Sequence, residues 1–229
     1  MKLLLFDIDG TLVRTAGAGR RSMDRAFEMV YGFRDGFQDI EMMGRTDPSI
    51  LKESLKNHHI TWNVEEVGRF REIYFRILEE EIDLPRPGMR LCPGIQILLD
   101  ALVRRPEFIL GLLTGNWRTS AYLKLLYFGI DGYFSIGAFA DDSAFREDLV
   151  PSVLGRLKRD RRIEVASEDV YVIGDTPLDI QCAKPHGVRT VGVATGFHSL
   201  EEIASENPDF IFRDFQDTEK VLEIFKVHP

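Results

Sequence analysis

Two carboxylates stand two residues apart at the end of an apolar run near the start of the chain. Residues 3–6 are Leu, Leu, Leu and Phe, and Asp7, Asp9, Gly10 and Thr11 follow within the next five positions. The unbroken run predicts a strand buried on both faces, so Asp7 and Asp9 are expected to point the same way at its carboxyl end. Gly10 permits a turn, and Thr11 offers a hydroxyl. Two such charges need a cation or a shared proton; the alternative is a strand followed by an ordinary Asp-Gly turn.

Two more carboxylates follow a later apolar run. Residues 170–173 are Val, Tyr, Val and Ile, and Asp175 and Asp179 come shortly after them. Because the carboxyl ends of parallel strands share one edge, we expect these groups to converge with Asp7 and Asp9. Oxygen ligands without His or Cys suit Mg²⁺, which we predict to bind Asp7, Asp9 and Asp175, with Asp179 orienting a ligand or water. The alternative for the later pair is capping of a helix N-terminus.

Candidate phosphate contacts lie at two further positions. Thr114, Gly115 and Asn116 follow another apolar run, where a strand meets a helix N-terminus. Free backbone N–H groups and a hydroxyl there make an anion site, although a simple turn capped by Asn116 is the alternative. Arg146 stands just before a predicted helix, where its guanidinium could bind a phosphate through two N–H groups. The alternative is a surface arginine paired with a neighbouring acid.

The pattern of elements predicts how these residues are positioned. Apolar runs typical of buried strands alternate with segments of helical spacing, which predicts an α/β fold with a doubly wound, Rossmann-like parallel sheet. Residues 15–87 instead show only helical patterns, including a helix start at Thr46-Asp47-Pro48, and end in a segment rich in Pro and Gly. We therefore predict a catalytic core of residues 1–14 and 88–229 with a helical cap of residues 15–87 inserted after the first strand.

Composition limits the class of partner and the compartment. The net charge of −8 favours neither nucleic acid nor an anionic membrane. No apolar run approaches the roughly 18 residues of a membrane helix, and no signal peptide is apparent. Cys92 and Cys182 have no ligand spacing and are expected to be buried free thiols in a reducing compartment. These observations predict a cytoplasmic protein that binds neither nucleic acid nor membrane, and they leave open whether it is a monomer or a homodimer.

The motifs together resemble those of the haloacid dehalogenase-like hydrolases. The match covers nearly the whole chain and is to the phosphatases with a helical cap after the first strand, a group similar to phosphoglycolate phosphatase. Its first, second and fourth motifs correspond to residues 7–11, 113–116 and 174–179. The third motif usually has a lysine before a Pro-rich turn. Here Arg146 is the best match, since Lys158 is expected too deep in a helix to reach the site, and arginine keeps the charge but changes the geometry.

The resemblance implies a Mg²⁺-dependent phosphomonoester hydrolase acting on a small, phosphoglycolate-like metabolite. Asp7 would attack phosphorus and form an aspartyl-phosphate, and Asp9 would act first as acid and then as base. Mg²⁺ would be held by the carboxylates of Asp7 and Asp175 and the backbone carbonyl of Asp9, and Thr114 and Arg146 would hold phosphate oxygens. The dehalogenases that name the family lack the acid at the place of Asp9 and need no metal, which favours a phosphatase or phosphotransferase over hydrolysis of a carbon–halogen bond.

The cap carries the prediction about the substrate. It is expected to close over the site by bending at residues 15–19 and 84–88. Arg45 precedes a capped helix and could bind a substrate carboxylate; the alternative is an exposed loop arginine. Two other functions stay open. A phosphosugar mutase on the same scaffold would return the phosphoryl group to its product, and a catalytically silent scaffold or regulatory protein would keep only the fold.

Overall fold

The computed structural model describes residues 1–226, so residues 227–229, the end of the predicted core segment 88–229, lie outside the described residues. The strands are β1 (Lys2–Phe6), β2 (Val13–Arg14), β3 (Arg90–Leu91), β4 (Phe108–Leu113), β5 (Ile136–Ala138), β6 (Val170–Gly174), β7 (Arg189–Val193) and β8 (Phe210–Phe212). The α-helices are α1 (Ala18–Tyr31), α2 (Asp47–Asn57), α3 (Val64–Ile82), α4 (Ile95–Val103), α5 (Arg118–Tyr127), α6 (Leu149–Arg161), α7 (Pro177–Ala183), α8 (Leu200–Ser205) and α9 (Thr218–Glu223).

Six of these strands form one parallel sheet in the order β5-β4-β1-β6-β7-β8. β1 lies between β4 and β6, and Leu5 pairs with Gly111 on one side and Val172 on the other. The predicted α/β doubly wound, Rossmann-like core is therefore confirmed. Because these three strands are neighbours and parallel, the polar residues that follow them emerge side by side at the carboxyl edge.

Apolar side chains cover both faces of the sheet, and β1 contributes to each in alternation. Leu4 and Phe6 belong to a buried cluster that includes residues of α4, α5 and α9. Leu3 and Leu5 belong to a second cluster, which includes residues of α6 and of the α7 region. The alternation follows from the period of two along a strand. The unbroken apolar run of β1 is thus explained by burial on both sides, which leaves Asp7 as the first polar residue at its end.

Helices α1, α2 and α3 lie within the predicted cap segment 15–87 and form an apolar cluster of their own. Phe27, Phe70 and Tyr74 are fully or almost fully buried in it, and Trp117 of the core belongs to the same cluster. A short antiparallel ribbon, which sequence patterns did not predict, joins β2 and β3 through the pair Val13 and Leu91. The ribbon holds the outgoing and returning chains together where the cap begins and ends.

Two elements differ from the sequence prediction. The residues Tyr, Phe, Ser and Ile at positions 133–136 predict a short strand, but the strand of this region is β5, at Ile136–Ala138, and residues 131–133 form a 3₁₀ turn. The Tyr133 hydroxyl donates to Asp100 at 2.5 Å and accepts from Gln96 at 2.7 Å, so this residue packs on α4 and does not extend the sheet. Helix α9 was also not predicted. Among residues 1–226, no helix combines the length and the apolar character needed to cross a bilayer.

Candidate active site

Three buried carboxylates meet at the carboxyl edge of the sheet. Oxygen atoms of Asp7, Asp175 and Asp179 all lie within 4.8 Å of one another. Asp9 stands at the rim of this cluster, where its side chain is 40% exposed. Asp7 and Asp175, which are 168 residues apart in the sequence, therefore share one site, since β1 and β6 are adjacent. Asp7, Asp175 and Asp179 converge as predicted, and Asp9 lies beside them.

The turn after β1 forms a wall beside Asp175. The Thr11 hydroxyl donates to Oδ1 of Asp175 at 2.8 Å. Gly10 has φ of +86°, and a Cβ at this position would lie 2.2 Å from Oδ2 of Asp175, so only glycine fits there. The Thr195 hydroxyl donates to the Gly10 carbonyl at 2.6 Å and fixes the turn from the other side. Gly10 and Thr11 thus shape the pocket around Asp175, and their predicted contact with phosphate stays a prediction.

Asp179 has two roles in the structure. Its Oδ2 accepts hydrogen bonds from the backbone N–H of Thr176 at 3.0 Å and from the Thr176 hydroxyl at 2.7 Å, which completes the capping box of α7. Its Oδ1 accepts from Nη2 of Arg146. The capping alternative raised by the sequence is therefore correct for Asp179, and the same carboxylate also belongs to the acidic cluster.

Arg146 is buried in the site and joins the core to the cap. Its Nη2 contacts Asp179 and lies 3.4 Å from Oδ1 of Asp7, while its Nη1 donates to the Gly44 carbonyl of the cap at 2.7 Å. The side chain is thus placed among the catalytic candidates and not on the surface. Lys158 instead is exposed and pairs with Glu164 at 2.7 Å. The structure therefore places Arg146, and not Lys158, beside the acidic cluster, and its match to the third motif stays a prediction.

The charges of the cluster are not balanced by the protein alone. Burial raises the pKa of Asp7 to about 6, against the opposing effect of Arg146. Burial, then the charges of Asp179 and Asp7, raise the pKa of Asp175 well above its ordinary value. When all three carboxylates are ionised, they outnumber the one guanidinium by two negative charges, which one divalent cation would neutralise. The donors are all oxygen atoms, so the site suits a hard cation such as Mg²⁺.

Two of the residues after β4, Thr114 and Asn116, bind each other, and Asn116 also binds Asp9. Nδ2 of Asn116 donates to the Thr114 hydroxyl at 2.8 Å and to Oδ2 of Asp9 at 2.9 Å. Gly115 instead faces the cap, because a Cβ at this position would lie 2.1 Å from the Arg45 carbonyl oxygen. Thr114 and Asn116 therefore lie at the site, and the Gly115 backbone forms part of the contact between core and cap.

Residues 44–47 of the cap dock directly on the core. The Asp47 N–H donates to the Gly115 carbonyl at 2.7 Å, and the Thr46 hydroxyl donates to the Ala144 carbonyl at 2.6 Å. The Asp47 carboxylate in turn accepts from the Trp117 N–H at 2.8 Å and the Ser120 hydroxyl at 3.3 Å. Together with the bond from Arg146 to Gly44, these contacts hold the cap over the carboxyl edge.

Arg45 is not brought to the acidic cluster. Its Nη1 pairs with Glu53 of α2 at 2.6 Å and also donates to the Glu41 carbonyl at 3.0 Å, so the guanidinium is bound within the cap. Its backbone carbonyl, and not its side chain, faces Gly115 of the core. The predicted contact between Arg45 and a substrate carboxylate stays a prediction.

The Asp47 carboxylate gives the fold a measurable pH dependence. Burial raises its pKa to about 7 from 3.8, with Lys124 acting in the opposite sense. The folded state therefore binds this proton more tightly than the unfolded state, so the contribution of Asp47 to stability falls as pH rises from about 4 to about 7. We expect Asp47→Asn to remove this fall and to be more stable than the wild type at pH 8, by roughly 4 kcal/mol at most, given about 1.4 kcal/mol per pKa unit.

Urea unfolding of both proteins at pH 4.5 and pH 8 measures that difference. Asp39→Asn, which changes an exposed aspartate of the cap, is the matched control and should follow the wild type at both pH values. Parallel stability curves for the Asp47 variant and the wild type would contradict the expectation.

Sequence patterns missed one residue that contacts a candidate catalytic acid. Lys124 of α5 is only 3% exposed, and its Nζ donates to Oδ2 of Asp9 and, at 2.6 Å, to Oδ1 of Asn116. The sequence contains a pattern that could have indicated this contact. Asn116, Ser120 and Lys124 recur every four residues, a spacing typical of one face of a helix. Apolar spacing alone predicts Tyr122, Leu125 and Leu126 as the inward residues of this helix; Leu125 is buried, whereas Leu126 is 57% exposed.

With the site described, comparison with known proteins identifies the family. The family model of the haloacid dehalogenase-like hydrolases matches residues 4–193. The chain belongs to this family. The matched range includes Asp7, Asp9, Thr114, Arg146 and Asp175, and the predicted family and its hydrolase class are confirmed.

Relatives of this haloacid dehalogenase-like hydrolase cover nearly its whole length. The pyrophosphatase PpaX of Halalkalibacterium halodurans is 25% identical over 223 residues, which is 93% of this chain and 93% of that protein. The phosphoglycolate phosphatase of Salmonella paratyphi A is 26% identical over 230 residues, 93% of this chain and 88% of that protein. CbbY from Rhodobacter sphaeroides, solved in complex with phosphate, has the same fold, with a TM-score of 0.73 at 19% identity over 95% and 96% of the two chains.

Proposed function

We propose that this protein is a Mg²⁺-dependent phosphomonoester hydrolase that acts on a small phosphorylated metabolite through an aspartyl-phosphate intermediate. The observation that carries the proposal is the position of Asp7. Its carboxylate is buried together with those of Asp175 and Asp179, and Nη2 of Arg146 lies 3.4 Å from its Oδ1. A nucleophile of this kind needs positive charge around the transferring phosphoryl group, and the arrangement provides for it. The names of the relatives, a pyrophosphatase and a phosphoglycolate phosphatase, agree with phosphoryl transfer to water.

Two carboxylates divide the chemistry in this proposal. An oxygen of Asp7 attacks phosphorus, and the bond from phosphorus to the leaving oxygen breaks while Asp9 donates a proton to that oxygen. Asp9 then takes a proton from water, whose oxygen attacks the same phosphorus. The bond between phosphorus and Asp7 breaks, which releases inorganic phosphate and restores both side chains. The position of Asp9 at the rim supports this assignment, since the leaving group and water must enter from that side.

The metal ion would be held by the carboxylates of Asp7 and Asp175 and by the backbone carbonyl of Asp9. When bound, it would neutralise the charge of the cluster and of the transferring group. Asp179 would orient the surrounding groups through its bond to Arg146. The two negative charges that the fully ionised cluster would carry support the assignment, because water is largely excluded there and cannot screen them.

Phosphate oxygens would be bound by Arg146, by the Thr114 hydroxyl and by backbone N–H groups of Gly115 and Asn116. The site at the N-terminus of α5 supports this, since helix N-termini attract anions. Gly10 and Thr11 would lie beside the same phosphate. Residues 44–47 of the cap dock directly on this edge, which favours a small substrate such as a phosphoglycolate-like acid.

A cytoplasmic location is supported by the two unpaired buried cysteines, and the proposal holds for a monomer or a homodimer.

A phosphate-release screen tests the proposed function. Small phosphate esters and pyrophosphate are incubated with the protein in Mg²⁺ or in excess EDTA, and free phosphate is measured. We expect release from at least one small ester in Mg²⁺ and a loss of at least about 100-fold in EDTA, because the acidic cluster would be left uncompensated. Undiminished release in EDTA would overturn the metal assignment. Isomerisation of a sugar phosphate without net release, dependent on a sugar bisphosphate, would identify the mutase instead.

A further inference from the structure

Lys124 is a buried cation beside the rim acid, and nothing in the proposed mechanism uses it. Its Nζ donates to Oδ2 of Asp9, and Nδ2 of Asn116 donates to the same oxygen at 2.9 Å. Lys124 also donates to Oδ1 of Asn116 at 2.6 Å. The three side chains therefore form a closed triangle of hydrogen bonds with Lys124 at one corner. An amide whose oxygen is bound by a lysine can present only its Nδ2 to the carboxylate.

The surroundings of Lys124 hold its ammonium group in place. Its side chain is 4% exposed, whereas the side chain of Asp9 is 40% exposed. The cap covers it, since a Cβ at Gly19 of α1 would lie 3.7 Å from Nζ and 3.9 Å from the Tyr74 hydroxyl of α3. Asp47, at the start of α2, also acts electrostatically on the same cation. The lysine is thus fixed by core and cap together, while the acid that it contacts faces the opening of the site.

We propose that Lys124 is a positioning residue that, with Asn116, holds the Asp9 carboxylate in the orientation needed for proton transfer. A carboxylate whose side chain is 40% exposed would otherwise have room for several rotamers. Both anchors bind Oδ2, which leaves Oδ1 as the oxygen that exchanges the proton with the leaving group and with water. The inference rests on the proposed function, in which Asp9 is the acid and base. It adds a specific reason why a lysine is buried on this face of α5.

Lys124→Met tests the inference, since methionine has a similar length and no charge. We expect kcat to fall about 10- to 100-fold with KM changed less than about threefold, because misplacement of a catalytic group lowers the rate more than binding. In an Asp9→Asn background, the same change should have no further effect on kcat, since the group that Lys124 positions is gone. Lys158→Met, which removes an exposed lysine of α6, is the matched control and should retain wild-type kinetics.

Two kinetic outcomes would overturn the proposal. One is a wild-type kcat in Lys124→Met. The other is an equal loss of kcat when Lys124→Met is made in the wild type and in Asp9→Asn, which would indicate a general structural role. Crystal structures of the wild type and the variant decide the positioning without any substrate. We expect one Asp9 rotamer in the wild type and more than one in the variant; an unchanged single rotamer would refute the proposal. A wild type that releases no phosphate would defeat the proposed function alone. If Lys124→Met does not fold, Lys124→Gln carries the same expectations.

Discussion

Replacing Asp7 by asparagine is expected to lower phosphate release by about 10⁴-fold or more. An amide oxygen is a far weaker nucleophile than a carboxylate, and no covalent intermediate can form without it. The same change removes one charge from a cluster of buried carboxylates. Burial, and then repulsion from Asp179 and Asp9, raise the pKa of Asp7 to about 6. We therefore expect the variant to be at least as stable as the wild type, as is common when a strained catalytic group is removed.

Steady-state phosphate release and thermal melting, measured on the same preparations, check both parts of this expectation. Asp160→Asn, at an exposed position of α6, is the matched control and should change neither quantity. Mass spectrometry of acid-quenched protein should detect a phosphoryl adduct in the wild type and none in Asp7→Asn. Undiminished release by that variant would sink the mechanism.

Replacing Arg146 by alanine is the second large expected effect. Its guanidinium contacts Asp179 and lies near Asp7, so truncation leaves two buried carboxylates without their cation. We expect activity to fall about 10²- to 10³-fold, since a charge that binds the transferring group is lost. Removing one partner of a buried pair is also expected to cost about 3–5 kcal/mol of stability. Kinetics in Mg²⁺ and urea unfolding measure these two losses separately.

Arg146→Lys separates the charge from the geometry. A lysine could retain the cation beside Asp7 and Asp179, but one ammonium group cannot also reproduce the bond from Nη1 to the Gly44 carbonyl. We expect a loss of about tenfold in kcat/KM, about what one hydrogen bond is worth, and faster hydrogen exchange at the Asp47 N–H, which is bonded to Gly115 in the docked cap. Wild-type exchange at Asp47 would show that Arg146 does not hold the cap.

Local chemistry explains why much of the catalytic edge could be predicted from the sequence. The period of two along a strand predicts Asp7 and Asp9 at one edge of the sheet, and the rule that parallel strands share a carboxyl edge predicts Asp175 there. The capping box of Thr176 and Asp179 is a short-range pattern, so helix capping at these positions could also be predicted from the sequence. Arg146 could be selected from its place before a predicted helix and as a match to a motif; its burial between Asp179 and the cap depends on packing that no local pattern encodes.

The cap shows the limit of such reasoning. Its helices could be predicted from apolar spacing, but the contacts that dock it join residues 44–47 to positions that are 68 to 102 residues away in the chain. Arg45 was the residue of this loop that attracted attention because of its charge. The structure instead directs its side chain to Glu53, and it is Thr46 and Asp47 that bind the core.

The sequence by itself determined the fold class, the four converging acids and the family, because each depends on short periodic patterns or compact motifs. Only the tertiary structure decided which groups neutralise, anchor and cover those acids. A buried lysine such as Lys124 resembles a surface residue in the sequence, since lysine on a helix is ordinarily solvated. Its burial becomes intelligible only when Asp9, Asn116 and the cap surround it, because a charge leaves water only where partners at long sequence separation compensate for the loss.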